Sequence, residues 1–448
     1  MNAPYLPAND LSPPGGRLRI AVIGSGISGS SAAWALAPVQ DVTLYEKNDV
    51  AGGHTATADI DYDGTPIAVD TGFIVYNEAT YPNLTALFAE LDVATHQSDM
   101  SFSLSLDQGR LEWSGDNLST LFAQKSNLLK PSFLWMIREI LRFNKLCLKD
   151  RAAGRLGARS IGDYLNWRGF SPGFTNNYLI PMAAAIWSTP AETMLDFPAE
   201  RFVNFFDNHR LIYSTPHPWR TVTGGSRTYL KKLLARLEGQ VRLGHPVTSI
   251  LRRDGKVLIT GRDGKQAVYD HVVIAAHSDQ ALRMLADPSE TERAILSAVP
   301  YRENRVILHR DPGLMPTRRK VWASWNYLRS TTPEGGPDGA VSYWMNRLQG
   351  IDPRLPLFVT LNPDREPAPG SVFAEYCYEH PQFDARSIDA QAALAGLQGM
   401  RNTWFAGAWT GYGFHEDGLA SGLAVAEALG GEIPWRARAA TPFAEAAE

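Results

Sequence analysis

Cysteine is nearly absent: Cys147 and Cys377 are the only two in 448 residues. A disulfide framework is thereby excluded, and a reducing compartment, by default the cytoplasm, is expected. Nowhere do about 18 apolar residues run together, so no segment has the length of a membrane-spanning helix. Positive charge is not in surplus either. With 43 Lys and Arg against 47 Asp and Glu, the formal net charge is −4, which argues against a nucleic-acid partner, because phosphate backbones are held by excess Lys and Arg. The opening MNAPYLPANDLSPPGG has neither a basic start nor an apolar h-region, and residues 1–16 are expected to form a Pro-rich flexible tail. No Ser-His-Asp order, zinc-ligand spacing or Walker A loop stands out, so no metal site is expected.

What is present belongs to an ordinary globular protein, 44% hydrophobic and 20% charged. A chain of 448 residues exceeds the size at which single cores stop growing, about 250 to 300 residues, and predicts two or three lobes. The first chemical signal is IAVIG, Ile20 to Gly24, a short β-branched run suited to a buried parallel strand. Gly24, Gly26 and Gly29, with Ser25, Ile27 and Ser28 between them, complete G-x-G-x-x-G ahead of a helix rich in small residues. The first glycine makes the tight turn, the second admits a pyrophosphate, and the third lets helix pack on strand. VTLYE then reads as a second strand ending in Glu46, 20 residues after Gly26. There a carboxylate accepts from a ribose hydroxyl, with Lys47 beside it. Strand, glycines, helix, strand and acid in this order specify a dinucleotide, without separating NAD from FAD.

The segment EKNDVAGGHTAT, with Gly52 and Gly53 followed by His54, resembles the flavoprotein superfamily of amine oxidases, protoporphyrinogen oxidases and phytoene desaturases. In that family a paired glycine after the ribose-binding acid lies beside the flavin diphosphate. The family commonly has Arg next; His54 stands there and would donate to a phosphate oxygen or cap a turn. VDTGFIVYN resembles the family's D-x-G segment, which implies that Thr71, Gly72, Phe73 and Ile74 turn backbone amides toward the isoalloxazine ring. TVTGGSRTYLKKLLARL matches a G-G-x-x-x-L helix, and the turns Asp254-Gly255 and Asp263-Gly264 mark hairpins. By the same resemblance Val247 holds the adenosine end, and DHVVIAA, ending in Ala276, returns the chain to the central sheet. NTWFAGAW, with Gly407 and Ala408, matches the final strand. A helix starting near Leu419, after Glu416, Asp417 and Gly418, would aim its positive N-terminus at the flavin.

The implied architecture is α/β, a Rossmann-like FAD-binding domain assembled from discontinuous segments, 17–95, 215–290 and 396–430. An α+β substrate domain would comprise 96–214 and 291–395, and 431–448 would be a C-terminal tail. The implied cofactor is non-covalent FAD. Departures from the family narrow the rest. The family's carboxylate two residues after the glycine of FAG falls at Trp409, which leaves Glu416 or Asp417 as the ribityl contact. W-T-G-Y, Trp409 to Tyr412, resembles the family's W-S-G-Y and implies a substrate-facing Tyr412. His415 is the one histidine assigned to proton transfer; a loop residue bonded to backbone is the alternative. The family's active-site lysine is missing from NRVILHRD, which weakens the amine oxidase reading.

Substrate segments such as FLWMIREILRF and RFVNFFDNHRLIY are rich in large apolar side chains, most of which belong to the core. Arg138, Arg142, Lys145 and Lys149 recur at helical spacing, with Phe133, Ile137, Ile140 and Leu141 assigned to other faces. Such a helix suits peripheral contact with the inner face of the membrane; a solvated outer face of the substrate domain is the more ordinary reading. Within the superfamily the phrases GGHTAT, DTGFIVYNEATYPNL, VWASWNYL and GFHEDGLASGL are similar to a bacterial branch of FAD-binding proteins found with cyclopropane-fatty-acid synthases. That resemblance implies an FAD-dependent oxidoreductase acting on an apolar substrate, a fatty acyl chain or membrane lipid. The alternatives are a flavin amine oxidase and a non-catalytic flavin-binding partner of a lipid methyltransferase.

Overall fold

The computed structural model describes residues 16–330 and 339–436. The expected N-terminal tail therefore lies outside the described residues except for Gly16. At its centre is a five-stranded parallel sheet in the order Val241–Arg242, Asp41–Tyr45, Arg19–Ile23, His271–Ile274, Thr403–Phe405. Ile20 to Val22 have no accessible surface, as a β-branched run in a doubly covered central strand should. The chain leaves this sheet and returns to it over nearly 400 residues, so the sheet can form only after distant segments meet.

The helix Ile27–Leu36 buries all ten of its residues. Small side chains make this possible. It runs beside His415–Ala428, and the approach is so close that a Cβ on Gly422 would sit 2.1 Å from the Ser28 carbonyl oxygen and one on Gly418 2.9 Å from Ile27 Cγ2. Contacts run in the same sense along both helices, Gly418 with Ile27 and Gly422 with Ser31, so both N-termini lie at the carboxyl edge of the sheet. The second helix begins at His415, four residues before the expected Leu419. Residues 431–436 are not a tail: Trp435 stacks on Trp34 with ring centroids 5.9 Å apart, and Arg436 pairs with Glu427 at 2.6 Å.

A seven-stranded mixed sheet forms the other lobe, in the order Val372–Pro381, Tyr301–His309, Phe358–Leu361, Ala340–Trp344, Trp325–Arg329, Phe102–Leu106, Leu111–Ser114. Helices including Pro131–Ala152 and Ala199–Asn208 belong to the 115–210 stretch. The Asp-Gly signals fall at hairpin turns of the antiparallel set Val247–Arg253, Lys256–Gly261 and Gln266–Tyr269. At the first of them Asp254 and Gly255 take φ of 52° and 69°, the left-handed pair that matches strand twist.

Candidate functional site

The site grows from the carboxyl edge of the parallel sheet. Glu46, 6% exposed, accepts at Oε2 from Ser25 N (3.0 Å) and Ser25 Oγ (2.6 Å) and at Oε1 from Asn48 N (2.9 Å). Gly52 N donates to the same Ser25 Oγ at 3.0 Å, so one acid ties the fingerprint turn to the paired-glycine turn. The three fingerprint glycines differ in what surrounds them. A Cβ on Gly24 would meet Ala275 O at 2.5 Å and one on Gly29 Gly24 O at 1.9 Å, yet one on Gly26 meets nothing within 4 Å. Gly53, at φ +56°, faces the same turn: a Cβ added there would lie 3.4 Å from Gly26 Cα. An open cradle between two glycine turns, at a helix N-terminus and beside a buried carboxylate, fits a dinucleotide's pyrophosphate and ribose. Farther along the edge Lys47 is exposed and lines, with Tyr45, Arg242 and Pro246, a groove of about 770 Å³; Val247 follows directly, beginning its strand.

The D-T-G segment differs from expectation. Thr71 N donates to Ala56 O (2.9 Å) and Phe73 N to His54 O (2.7 Å), so two of the four amides expected to face the ring are bonded within the protein. Gly72 is required by this approach, since a Cβ there would come 2.3 Å from His54 O. Ile74 is buried and its carbonyl accepts from Thr221 Oγ1 at 2.7 Å. Asp70, whose role the sequence did not reveal, accepts from Thr57 Oγ1 (2.6 Å), Ser226 N (2.8 Å) and Ser226 Oγ (2.9 Å), fastening the Gly224-Gly225 turn to this loop. Burial raises its carboxyl to about 6 in spite of those donors.

Around this loop the fold gathers neutral polar rings from four separated segments. His54 lies 4.9 Å from the Tyr378 ring and 5.3 Å from His380, and its Nε2 is buried without a partner. His415 stacks on Phe73 at 3.9 Å and its Nε2 lies 2.5 Å from Tyr229 Oη, which in turn lies 2.6 Å from Thr55 Oγ1. Tyr378 Oη meets Thr71 Oγ1 at 2.8 Å. Burial, and secondarily the neighbouring histidines, lowers His54 to about 4 and both His380 and His415 to about 3. All three are partly exposed. Burial thus favours the neutral imidazole of His415, and Tyr229 Oη fixes the orientation of its ring. His415 opens the helix His415–Ala428 and is held by a side chain, so the alternative of a loop residue bonded to backbone does not describe it.

The late glycine turn also reassigns several residues. Gly407 N donates to Ser421 Oγ at 2.9 Å and Ala276 O accepts from Trp409 Nε1 at 3.1 Å, while Ala408 O accepts from Gly411 N and Gly413 N at 3.1 Å. Glu416 accepts from Asn83 N (2.9 Å), Asn83 Nδ2 (2.7 Å) and Leu84 N (3.0 Å), which caps the helix Pro82–Glu90. Asp417 accepts from Phe414 N at 2.9 Å and caps its own helix. Burial raises both carboxyls to about 6. These two acids, expected at the ribityl chain, are instead committed to helix N-termini. Gly418 and Leu419 serve the packing of His415–Ala428 on Ile27–Leu36.

Tyr412, 8% exposed, meets a residue that sequence reading did not single out: the Arg201 guanidinium lies 4.4 Å over its ring. Arg201 donates to Gln391 Oε1 at 2.5 Å, and among the described residues no carboxylate forms an ion pair with it. Phe205 stacks on Phe414 at 4.9 Å and on His209 at 3.9 Å and lies 4.6 Å from Trp187, an aromatic wall beside Tyr412. An "R-F-V-N-F-F" pattern on a predicted helix held the signal, since Arg201 and Phe205 are spaced i, i+4 and share a face. The strand Tyr301–His309 carries no lysine, and among the described residues no three His, Cys, Asp or Glu are grouped to bind a metal ion.

A family model described as flavin containing amine oxidoreductase matches residues 27–308. Among solved structures, a double mutant of putrescine oxidase superposes with a TM-score of 0.65 at 16% identity, covering 92% of this chain and 99% of that one. A CLA-producing fatty acid isomerase from P. acnes gives 0.61 at 16% identity, over 92% and 97% of the two chains. Cyclohexylamine oxidase from Brevibacterium oxydans IH-35A gives 0.62 at 16%, over 92% and 99%. At these identities the likeness is one of fold. No curated protein matches the sequence.

Proposed function

Since the chain belongs to the flavin-containing amine oxidoreductases and is an FAD-dependent oxidoreductase, we propose that its substrate is an acyl chain, borne by a fatty acid or a membrane lipid. Gly26 and Gly53 would admit the pyrophosphate, Glu46 would accept from the adenosine ribose, and the side chains of His54, Thr71, Tyr378 and His415 would lie by the ring. Bound there, FAD supplies acceptance of a hydride equivalent from the substrate. The protein's own part is orientation and dryness. The aromatic side chains Trp187, Phe205, Phe414 and Tyr412 exclude water and present an apolar wall, while Tyr229 and Thr55 hold His415 in one orientation.

The observation that carries the substrate class is Arg201. A guanidinium without an ion-paired carboxylate, lying over the aromatic ring of Tyr412, would attract a carboxylate head and repel an ammonium. The fatty acid isomerase shows that this fold can serve an acyl substrate. An amine is the second reading, motivated by W-T-G-Y and by the putrescine oxidase fold; against it stand the guanidinium and the lysine-free strand.

Anaerobic mixing of the FAD-loaded protein with fatty acids, their methyl esters, phospholipids and a panel of primary amines decides between them. Loss of the flavin's visible absorption with acyl compounds alone is expected. Bleaching by amines alone would overturn the acyl reading. In steady state, Arg201→Met is expected to raise KM for free fatty acids by roughly tenfold or more, the loss of a charge-assisted hydrogen bond of about 1.5–3 kcal/mol, with methyl esters little changed. Tyr412→Ala is expected to retain FAD and lower kcat; loss of FAD would remove Tyr412 from the substrate side.

A further inference from the structure

The segment 117–170 carries ten Lys and Arg against three Asp and Glu, in a chain whose net charge is −4. Two of those three acids are buried, Glu139 and Asp150. Asp150 is neutralised by Arg168, and Glu139 accepts from Ser171 N at 2.9 Å. The outer surface here is therefore almost purely cationic. Arg138, Lys145 and Lys149 are exposed and, among the described residues, have no ion-paired carboxylate.

On the helix Pro131–Ala152 these cations share one face with exposed Leu134, Trp135 and Leu141, opposite buried Phe133, Met136, Phe143 and Cys147. Sequence spacing had assigned Leu141 to another face than the cations; in the structure it is 64% exposed between Arg138 and Arg142. Apolar side chains are exposed in the preceding segments too. Leu129, at the turn entering it, is 86% exposed, and Leu118 on the preceding short helix is 75% exposed. Leucines and a tryptophan projecting to solvent beside Lys and Arg on one helix face depart from the usual solvated face, where large apolar side chains are few. Arg138 lies 5.4 Å over the Trp135 ring, so the aromatic carries its own cation to the surface.

We propose that this face docks on an anionic lipid bilayer. Trp135 and the leucines enter the headgroup layer, and Arg138, Lys145 and Lys149 engage lipid phosphates; the charge complementarity selects anionic over zwitterionic lipid. The same helix is backed on its buried side by Ala199–Asn208, the helix that bears Arg201 and Phe205 beside Tyr412. The inference stands apart from the acyl substrate, since docking is read without turnover.

The test is flotation of the FAD-loaded full chain with phosphatidylcholine vesicles, with and without phosphatidylglycerol. The protein is expected to float with the anionic vesicles, not with phosphatidylcholine alone, and to be released by salt. The triple variant Arg138→Glu, Lys145→Glu, Lys149→Glu, and separately the pair Leu129→Ser, Trp135→Ser, should each lower partitioning by at least roughly tenfold with flavin content unchanged. Failure of the unmodified protein to float, or equal flotation of both variants, overturns the proposal. So does a dimer in gel filtration that the Leu129→Ser, Trp135→Ser pair converts to monomer, for then the face belongs to a second copy.

Discussion

Gly26→Val is expected to give a folded, colourless protein. A Cβ at position 26 meets nothing within 4 Å, so the apoprotein accommodates the side chain, but the isopropyl group fills the space the pyrophosphate needs. Far-UV circular dichroism and solubility should match the unmodified protein, while flavin absorption is lost and added FAD does not restore it. Gly29→Val, three residues on, should fail differently: its Cβ would lie 1.9 Å from the Gly24 carbonyl oxygen, against backbone that cannot yield. That variant is expected to be insoluble or strongly destabilised whether or not FAD is supplied. If Gly26→Val purified with flavin bound, the cradle between Gly26 and Gly53 would not be the pyrophosphate site. If Gly29→Val folded normally, the close packing of helix on turn would be wrong.

Acidification from pH 7 to pH 5 is expected to destabilise the cofactor-free protein by several kcal/mol. Burial lowers His54, His209, His277 and His309 to about 4 and His380 and His415 to about 3. Unfolded histidines titrate near 6.5, so between these values the unfolded state binds more protons and stability falls as pH falls; each group contributes about 2 kcal/mol by pH 5. Three carboxyls act oppositely. Asp70, Glu416 and Asp417 are raised to about 6, so they take up protons in the folded state first and stabilise it by about 1 kcal/mol each over the same interval. Six histidines outweigh three acids, and Tm should drop steeply below about pH 6.5. His309, whose Nε2 meets Thr360 Oγ1 at 2.7 Å in the other lobe, offers a control: His309→Gln should flatten the slope by roughly one proton without changing the flavin spectrum. A Tm constant or rising from pH 7 to pH 5 would mean that the histidines are not held neutral.

Much of the cofactor side was legible because its requirements are local. A tight turn needs Gly24 at φ +101°, helix-on-turn packing needs Gly29, and an acid at the end of the next strand needs only the short connection that delivers Glu46 beside Ser25. Each of these is a constraint among residues that are neighbours in the chain or one strand apart, and so leaves a readable spacing. The late turn was legible as a strand, glycines and a helix. The duties of its acids were not, because Glu416 is claimed by Asn83 and Leu84 from more than 300 residues away, and no spacing encodes such a partner.

The substrate side was least legible. Arg201 reads as one more arginine on an amphipathic helix until the fold lays it over Tyr412, and Leu141 reads as core until the helix is docked with that face outward. The sequence by itself determined that a dinucleotide turn exists and which glycines it requires, since backbone sterics act within a few residues. Tertiary structure alone decided which histidines are buried, which acids are claimed by distant helices and which leucines meet solvent. Burial and partner choice set those properties, and both arise only when segments hundreds of residues apart pack together.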